Sequence, residues 1–321
     1  MKAGTLMGLC LFAAAAGSMP AVAAPPWPTK PVRFVVSFPP GAPGDQIIRA
    51  IQPALQQALG QPIIVDNKPG AGGNIGMQEV VNATDGHTAL VGPDTMLTIN
   101  PHLYHKLGFG PMEDLRPVTL LATTSQLLVC NPKVPAQSLP DLLESARKTP
   151  MTYASGGPGV PGHMAMEMLL SDTKVKMTHV PYKGPAPAMQ DVMADVVPCG
   201  FLASSTVATL VKDGRLKALA ASGSSRLASF PQVPTVSESG DPGYAANFGE
   251  MVAMPKSSSP ENVQRLRDEI AKALAQPAIR ASLASLDLDI VASEPQAATE
   301  RLKAESTKWG AVASRIGLQL D

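Results

Sequence analysis

The sequence predicts an α/β protein built on parallel β-structure with helices on both faces, divided between two domains. Three observations predict it. Short β-branched apolar runs alternate with helical stripes along the chain, the pattern of βαβ units. Roughly 300 residues follow an N-terminal leader, more than one hydrophobic core usually organises. Three Gly-rich loops fall where strands hand over to helices, and ligands of such sheets bind at the carboxyl ends of strands.

The leader comes first. Met1 and Lys2 precede an uncharged stretch through Leu6, Leu9, Leu11, Phe12 and the alanines 13–16, ending in Ala21-Val22-Ala23. That is the three-part form of a secretory signal peptide, too short for a membrane span. Residues 1–23 are expected to be removed, leaving Ala24 as the new terminus in the periplasm. Cys10 lies inside the apolar run behind Leu9, where a lipoprotein would need a small residue. Cys130 and Cys199 remain, each in a strand-like run, and are expected to be buried thiols rather than a bridge.

The elements follow in order. Val32 to Phe38 reads as a buried parallel strand. Asp45 to Leu59 is a helix with an apolar stripe through Ile47, Ile48, Ile51, Leu55 and Leu59, stopped by Gly60. Pro62–Val65 and Thr88–Gly92 are strands flanking a short helix over Gly76–Ala83. Further strands are expected at 117–130, 151–154, 176–181, 196–202 and 216–222. Helices are expected at 138–148, 163–171, 185–194, 205–212, 260–275, 277–285 and 295–315. No later stretch is apolar enough to span a membrane.

Charge narrows the partners. With 26 basic and 26 acidic residues, neither nucleic acid nor an anionic membrane is expected as the main partner. The 32 prolines are scattered as loop punctuation. The candidate site is therefore sought in the three loops. The first holds Phe38, Pro39, Pro40, Gly41 and Ala42, with Asp45 placed to cap the following helix. The second holds Gly72, Gly73 and Asn74. The third runs through Ser155, Gly156, Gly157, Gly159, Val160, Pro161, Gly162 and His163. Glycines let a backbone approach a ligand closely, and helix N-terminal amides attract anions. His163 is expected to orient its loop.

Catalytic readings fare worse. The elbow G-x-S-x-G of hydrolases is absent from the sequence, and no His-Asp pair can be assigned to Ser155. Gly70, Gly72 and Gly76 miss dinucleotide spacing, with Ile75 in the last glycine's place. His102 and His105 lack a third metal ligand. No enzyme activity, cofactor or metal is expected.

At this point the sequence resembles the Bug family, the periplasmic substrate-binding receptors of tripartite tricarboxylate transporters. The resemblance runs in order through Trp27-Pro28-Thr29-Lys30-Pro31, Phe38-Pro39-Pro40-Gly41 and Asn67-Lys68-Pro69-Gly70-Ala71-Gly72-Gly73-Asn74. It continues through Asp85-Gly86-His87-Thr88, Ile99-Asn100-Pro101-His102, Tyr153-Ala154-Ser155, His179-Val180-Pro181-Tyr182-Lys183-Gly184 and Pro231-Gln232-Val233-Pro234-Thr235. It implies a two-lobed periplasmic-binding-protein clamshell, each lobe a mostly parallel sheet flanked by helices. Lobe one would be 25–124 plus 250–321, and lobe two 125–249. It further implies a monomer that captures a small organic carboxylate in the interlobe cleft for integral-membrane transporter subunits. The grip would come from Phe38–Ala42 and Ser155–His163, through amides, hydroxyls and water. A sensor for a membrane signalling protein is the alternative, and a periplasmic hydrolase a more distant one. The chain departs from the family where hydroxyl residues usually precede the histidine, here Val160, Pro161 and Gly162. Leu202 and Ala203 stand where Asp and Asn are frequent, and Pro93 and Asp94 where small polar residues are usual. A ligand with an apolar or aromatic body is therefore expected over a citrate-like polyacid.

Overall fold

The computed structural model describes residues 27–320 together with Met1, so the expected leader lies outside the described residues. The first half of the fold opens with β1 (Val32–Val36), α1 (Pro43–Leu59), β2 (Ile63–Asn67), α2 (Asn74–Val81) and β3 (Thr88–Pro93). Three short helical turns follow, α3 (Thr95–Thr98), α4 (Asn100–Leu103) and α5 (Pro111–Asp114). The long strand β4 (Leu115–Cys130) then carries the chain into the second half. There it forms α6 (Leu139–Lys148), β5 (Thr152–Ser155), α7 (Pro161–Thr173), β6 (Thr178–Pro181), α8 (Pro185–Met193), β7 (Cys199–Ala203), α9 (Ser204–Lys212) and β8 (Lys217–Ala221). The return strand β9 (Asn247–Pro255) leads to α10 (Pro260–Leu274), α11 (Pro277–Ala284), β10 (Asp289–Ile290) and α12 (Pro295–Ile316).

The strands join in the order β2-β1-β3-β9-β4-β7-β5-β6, with β8 and β10 also on β4. Strands linked through helices pair in parallel: β1 with β2 and β3, and β5 with β6 and β7. The two crossing strands run antiparallel to their neighbours, β9 against β3 and β4, and β4 against β7 and β8. The sheet is thus mixed, and β9 is an element the alternation of strand and helix did not predict. Its run Phe248–Pro255 is interrupted by Gly249 and Glu250, and no helix pattern immediately precedes it.

Two helices begin earlier than expected, each at a proline. Pro43 opens α1 and Pro161 opens α7, because proline's missing N–H costs nothing in a first helical turn. In the first half, Phe34 and Val36 of β1 pack with Ile47, Ile48 and Ile51 of α1 and Leu266 and Ile270 of α10. In the second, Leu128, Tyr153, Met164, Leu169 and Phe201 form the core. The helix α12 joins both regions: Leu302 packs with Met77 and Leu90, and Trp309 packs in the core of Met164 and Phe201. Trp309 also stacks on Phe248 of β9, ring centres 5.3 Å apart. Cys130 and Cys199 are buried free thiols facing each other across β4 and β7. The hydrogen bond with the Cys130 sulfur, together with burial, pushes the Cys199 thiol well above its ordinary pKa.

Candidate functional site

A narrow cavity lies where the crossing strands pass between the two halves. Its walls are the β1–α1 junction (Val36, Phe38, Ala42, Pro43, Gly44), the end of β3 (Gly92, Pro93) and the β5–α7 junction (Gly156, Val160, Pro161, Gly162). Thr124 and Gln126 of β4, Pro185, Phe201 to Ala203 of β7, and Glu250 of β9 complete it. The cavity volume is about 40 Å³, so its walls stand close together. Loop contacts show the same closeness. A Cβ on Gly184 would sit 2.9 Å from Pro39, one on Gly72 3.1 Å from the Pro158 carbonyl, and one on Gly159 3.2 Å from Asn100.

The first loop is held by one carboxylate. Asp45 accepts from the Gly41 amide (2.9 Å), Arg49 Nε (2.9 Å) and Asn67 Nδ2 (3.0 Å), and Asn67 also donates to the Phe38 carbonyl (2.9 Å). Burial pushes the Asp45 carboxyl up, but the hydrogen bonds from Arg49, Gly41 and Asn67 outweigh it and hold the pKa below its usual value. Asp45 thus ties the loop to its helix from the first turn instead of capping it as expected, and the start of α1 has no side-chain cap. Gly41 has φ +87°, a left-handed turn position with open space around it. It shapes the loop and does not line the cavity.

The third loop rests on a buried aromatic stack. The rings of His163 and His179 lie 4.0 Å apart, and Tyr153 stacks on His179 at 4.9 Å. The Gly159 amide donates to His163 Nδ1 (3.0 Å), which fixes that imidazole as neutral with its proton on Nε2. His179 Nε2 lies 2.7 Å from Ser155 Oγ, and the Ser155 hydroxyl donates to the Gly157 carbonyl (3.0 Å). Burial drives both histidines down, His163 to about 3, with His179 adding to its shift, and His179 to about 4. Ser155 and His179 therefore form a pair that sequence reasoning did not find. Ser155 is fully buried, and the pair braces the loop from behind.

The second loop is also a support. Asn100 donates to the Gly72 carbonyl (3.1 Å) and to Asn74 Oδ1 (2.6 Å), and a Cβ on Gly73 would strike Met96 and Phe38. Of the sixteen residues expected at the site, the cavity is lined by Phe38, Ala42, Gly156, Val160, Pro161 and Gly162. Pro39, Pro40, Gly41, Gly72, Gly73, Asn74, Ser155, Gly157, Gly159 and His163 stand behind or beside it. Thr124, Gln126, Phe201 and Glu250 were missed, because they lie within strands rather than in the Gly-rich loops that open helices. Pro93, Leu202 and Ala203, noted as departures from the family, do line it. His102 bonds Ser306 (3.0 Å), and no metal-holding cluster occurs among the described residues.

The chemistry of this lining is specific. The N-termini of α1 and α7 both reach it, neither with a side-chain cap. None of the lining side chains is Lys, Arg or His, and Glu250 is the one ionisable group among them. An anion here would meet oriented amides and helix dipoles instead of a cation.

Comparison with known proteins agrees with this architecture. The sequence profile described as tripartite tricarboxylate transporter family receptor matches residues 47–318. The protein BugT of Bordetella pertussis is 31% identical over 314 residues, covering 97% of this chain and 96% of its own. A UPF0065 protein from the tcbD-tcbE intergenic region of Pseudomonas sp. is 33% identical over 291 residues, covering 88% and 85%. Among solved structures, R. palustris Rpa4515 with adipate superposes with a TM-score of 0.88 at 29% identity, over 92% of this chain and 99% of that one. MatC of Rhodopseudomonas palustris with bound malate gives 0.85 at 28% identity, over 89% and 99%.

Proposed function

Because this chain belongs to the tripartite tricarboxylate transporter receptor family, a family of two-lobed periplasmic binding proteins, we propose that it captures a small organic carboxylate between its lobes and presents it to integral-membrane transporter subunits. Lobe one is 25–124 plus 250–321 and lobe two 125–249, with β4 and β9 as the crossings between them. The observation that carries the reading is the cavity itself: two uncapped helix N-termini face a lining without a cationic side chain. Such a site suits a carboxylate, which backbone amides can hold without the desolvation of a lysine or arginine. The adipate and malate in the similar structures support the ligand class.

The apolar walls narrow it further. Phe38, Val160, Phe201 and Leu202 are all buried at the cavity, so the ligand has an apolar body behind its carboxylate. A thermal-shift screen of organic acids, amines and neutral sugars tests the class. A ligand at 100 times its dissociation constant adds about 2.7 kcal/mol to the folded state, a clear upward shift. Stabilisation by amines or sugars alone overturns the reading. Calorimetry of an apolar monocarboxylate against citrate tests the body, and tighter citrate binding overturns that part.

A further inference from the structure

Glu250 is the unexplained group of this site. It sits on β9 opposite Pro93 of β3 and Ala122 of β4, is 3% exposed, and lines the cavity. Its Oε2 is buried without a hydrogen-bond partner. A Cβ on Gly44 would lie 2.8 Å from that oxygen, so the carboxyl rests directly against the first turn of α1, at the end where an anion is attracted. Buried polar atoms in proteins are almost always satisfied, and here the space beside the orphaned oxygen is the ligand cavity.

The charged neighbours define its state. Asp94, at the start of α3, is itself 2% exposed, and its amide donates to the Gly249 carbonyl (2.7 Å). Arg301 of α12 pairs with Asp94 (3.4 Å), and Glu305 on the same helix adds negative charge beside it. On the α1 side, the Asp45 carboxylate is engaged by Gly41, Arg49 and Asn67. The nearby cation therefore serves Asp94, and Glu250 is left beside the Asp94 carboxyl. Burial, with Asp94 adding to it, pushes the Glu250 carboxyl well above its ordinary range. Two anions at one helix start also repel, so a bound ligand carboxylate favours the proton on Glu250.

We propose that Glu250 is a ligand-contacting, specificity-determining residue whose neutral carboxyl donates a hydrogen bond from Oε2 to a carboxylate oxygen of the ligand at the start of α1. This rests on the carboxylate reading above and adds the one side-chain donor that a cation-free site otherwise lacks. A carboxylic acid giving its proton to a carboxylate forms a short, charge-assisted bond. The same oxygen, once ionised, repels that ligand, so binding is coupled to a proton.

Calorimetric titration with the saturated diacids from malonate to adipate tests this, over pH 6 to 9, with the singly protonated fraction of each acid near pH 6 corrected for and each variant's melting curve as a folding control. For the tightest-binding acid, wild-type affinity is expected to fall with rising pH, approaching tenfold per unit once free Glu250 ionises. Glu250→Gln keeps a donor and is expected within about threefold of wild type at pH 6, with a flat pH profile. Glu250→Met is expected to bind at least tenfold more weakly, the effect of a lost hydrogen bond to a charged group. Equal binding by wild type and all variants overturns the role of Glu250 while the carboxylate reading stands. Preference for 6-aminohexanoate, lost in Glu250→Gln, overturns the donor assignment, since an ionised Glu250 would then be holding an ammonium. Failure of every acid with wild type overturns the carboxylate reading and this proposal with it.

Discussion

At the scale of single residues, the site divides into groups that face the cavity and groups that hold those groups in place. Asp45 and His163 belong to the second kind. The sequence suggested a first-turn or capping carboxylate at Asp45 and a loop-orienting histidine at His163; the carboxylate proves to hold the loop and does not cap the helix. The partner of each was not readable: Gly41 and Asn67 for Asp45, Gly159 and the His179 ring for His163. The buried histidines make stability depend on pH. Their pKa values are lowered in the folded state, to about 3 and about 4, while unfolded histidine titrates near ~6.5. Below that value the unfolded chain takes up protons that the folded one refuses. Their contribution is therefore intact above pH ~6.5 and is lost as pH falls towards the folded values, by roughly 1.4 kcal/mol per unit for buried His163 and less for half-buried His179, which solvent screens. His163→Asn keeps an acceptor for the Gly159 amide and removes one titration. In urea melts, the stability gap between wild type and this variant is expected to be about 2 kcal/mol narrower at pH 5 than at pH 7. A gap that does not change with pH means that His163 is not buried in its neutral form.

At the scale of elements, the parallel units were legible and so was β4, expected over 117–130, but β9 and the antiparallel pairing of the two crossings were not. A βα unit announces itself through a β-branched run, a Gly-rich turn and a 3.6-residue stripe, all local features of β1–α1 and β5–α7. The pairing of β9 between β3 and β4 is a contact across more than a hundred residues of chain, and no local period encodes it. Hence Glu250, Thr124 and Gln126 escaped notice, though each faces the cavity. The structure also separates the three departures in the third loop. All three line the cavity, but Gly162 is also pressed onto β7: a Cβ there would lie 2.1 Å from the Phe201 carbonyl oxygen. The glycine is a packing requirement, since backbone cannot yield as a flexible side chain can. Gly162→Ala is expected to push the first turn of α7 away from β7, costing roughly 1–3 kcal/mol in stability. Ligand affinity is expected to fall with it, because the α7 amides move. Chemical denaturation and calorimetry on the same sample check both, and an alanine variant of unchanged stability would show that α7 has slack against the sheet.

At the scale of the whole molecule, the closed cavity must open for a ligand to enter. The barriers are the loop contacts across the cleft: Pro39 on Gly184, Gly72 on Pro158 and Gly159 on Asn100. None of these three is an ion pair, and the Arg315–Asp172 pair (2.9 Å) lies between α12 and α7 away from the cavity, so a ligand bridging both helix N-termini can bias closure at the cleft itself. The connections set the direction of movement. β4 and β9 pass between the lobes side by side, paired through Ser125 and Asn247, so the natural motion is a bend across both strands. α12 constrains it, because Leu302 is packed in one lobe's core and Trp309 in the other's. Opening must slide or tilt this helix against one of them, which favours a modest angle over a wide gape. Small-angle scattering measures the outcome. Without ligand, the radius of gyration is expected to exceed the roughly 19 Å of a compact chain of this length. Saturation with a stabilising acid is expected to bring it down towards that value. Superimposable profiles with and without ligand, for an acid that calorimetry shows to bind, would mean that the lobes are already closed in the free protein. The ligand would then enter through loop movements around Pro39 and Gly184, and Gly184→Ala, which crowds that contact, would slow its entry.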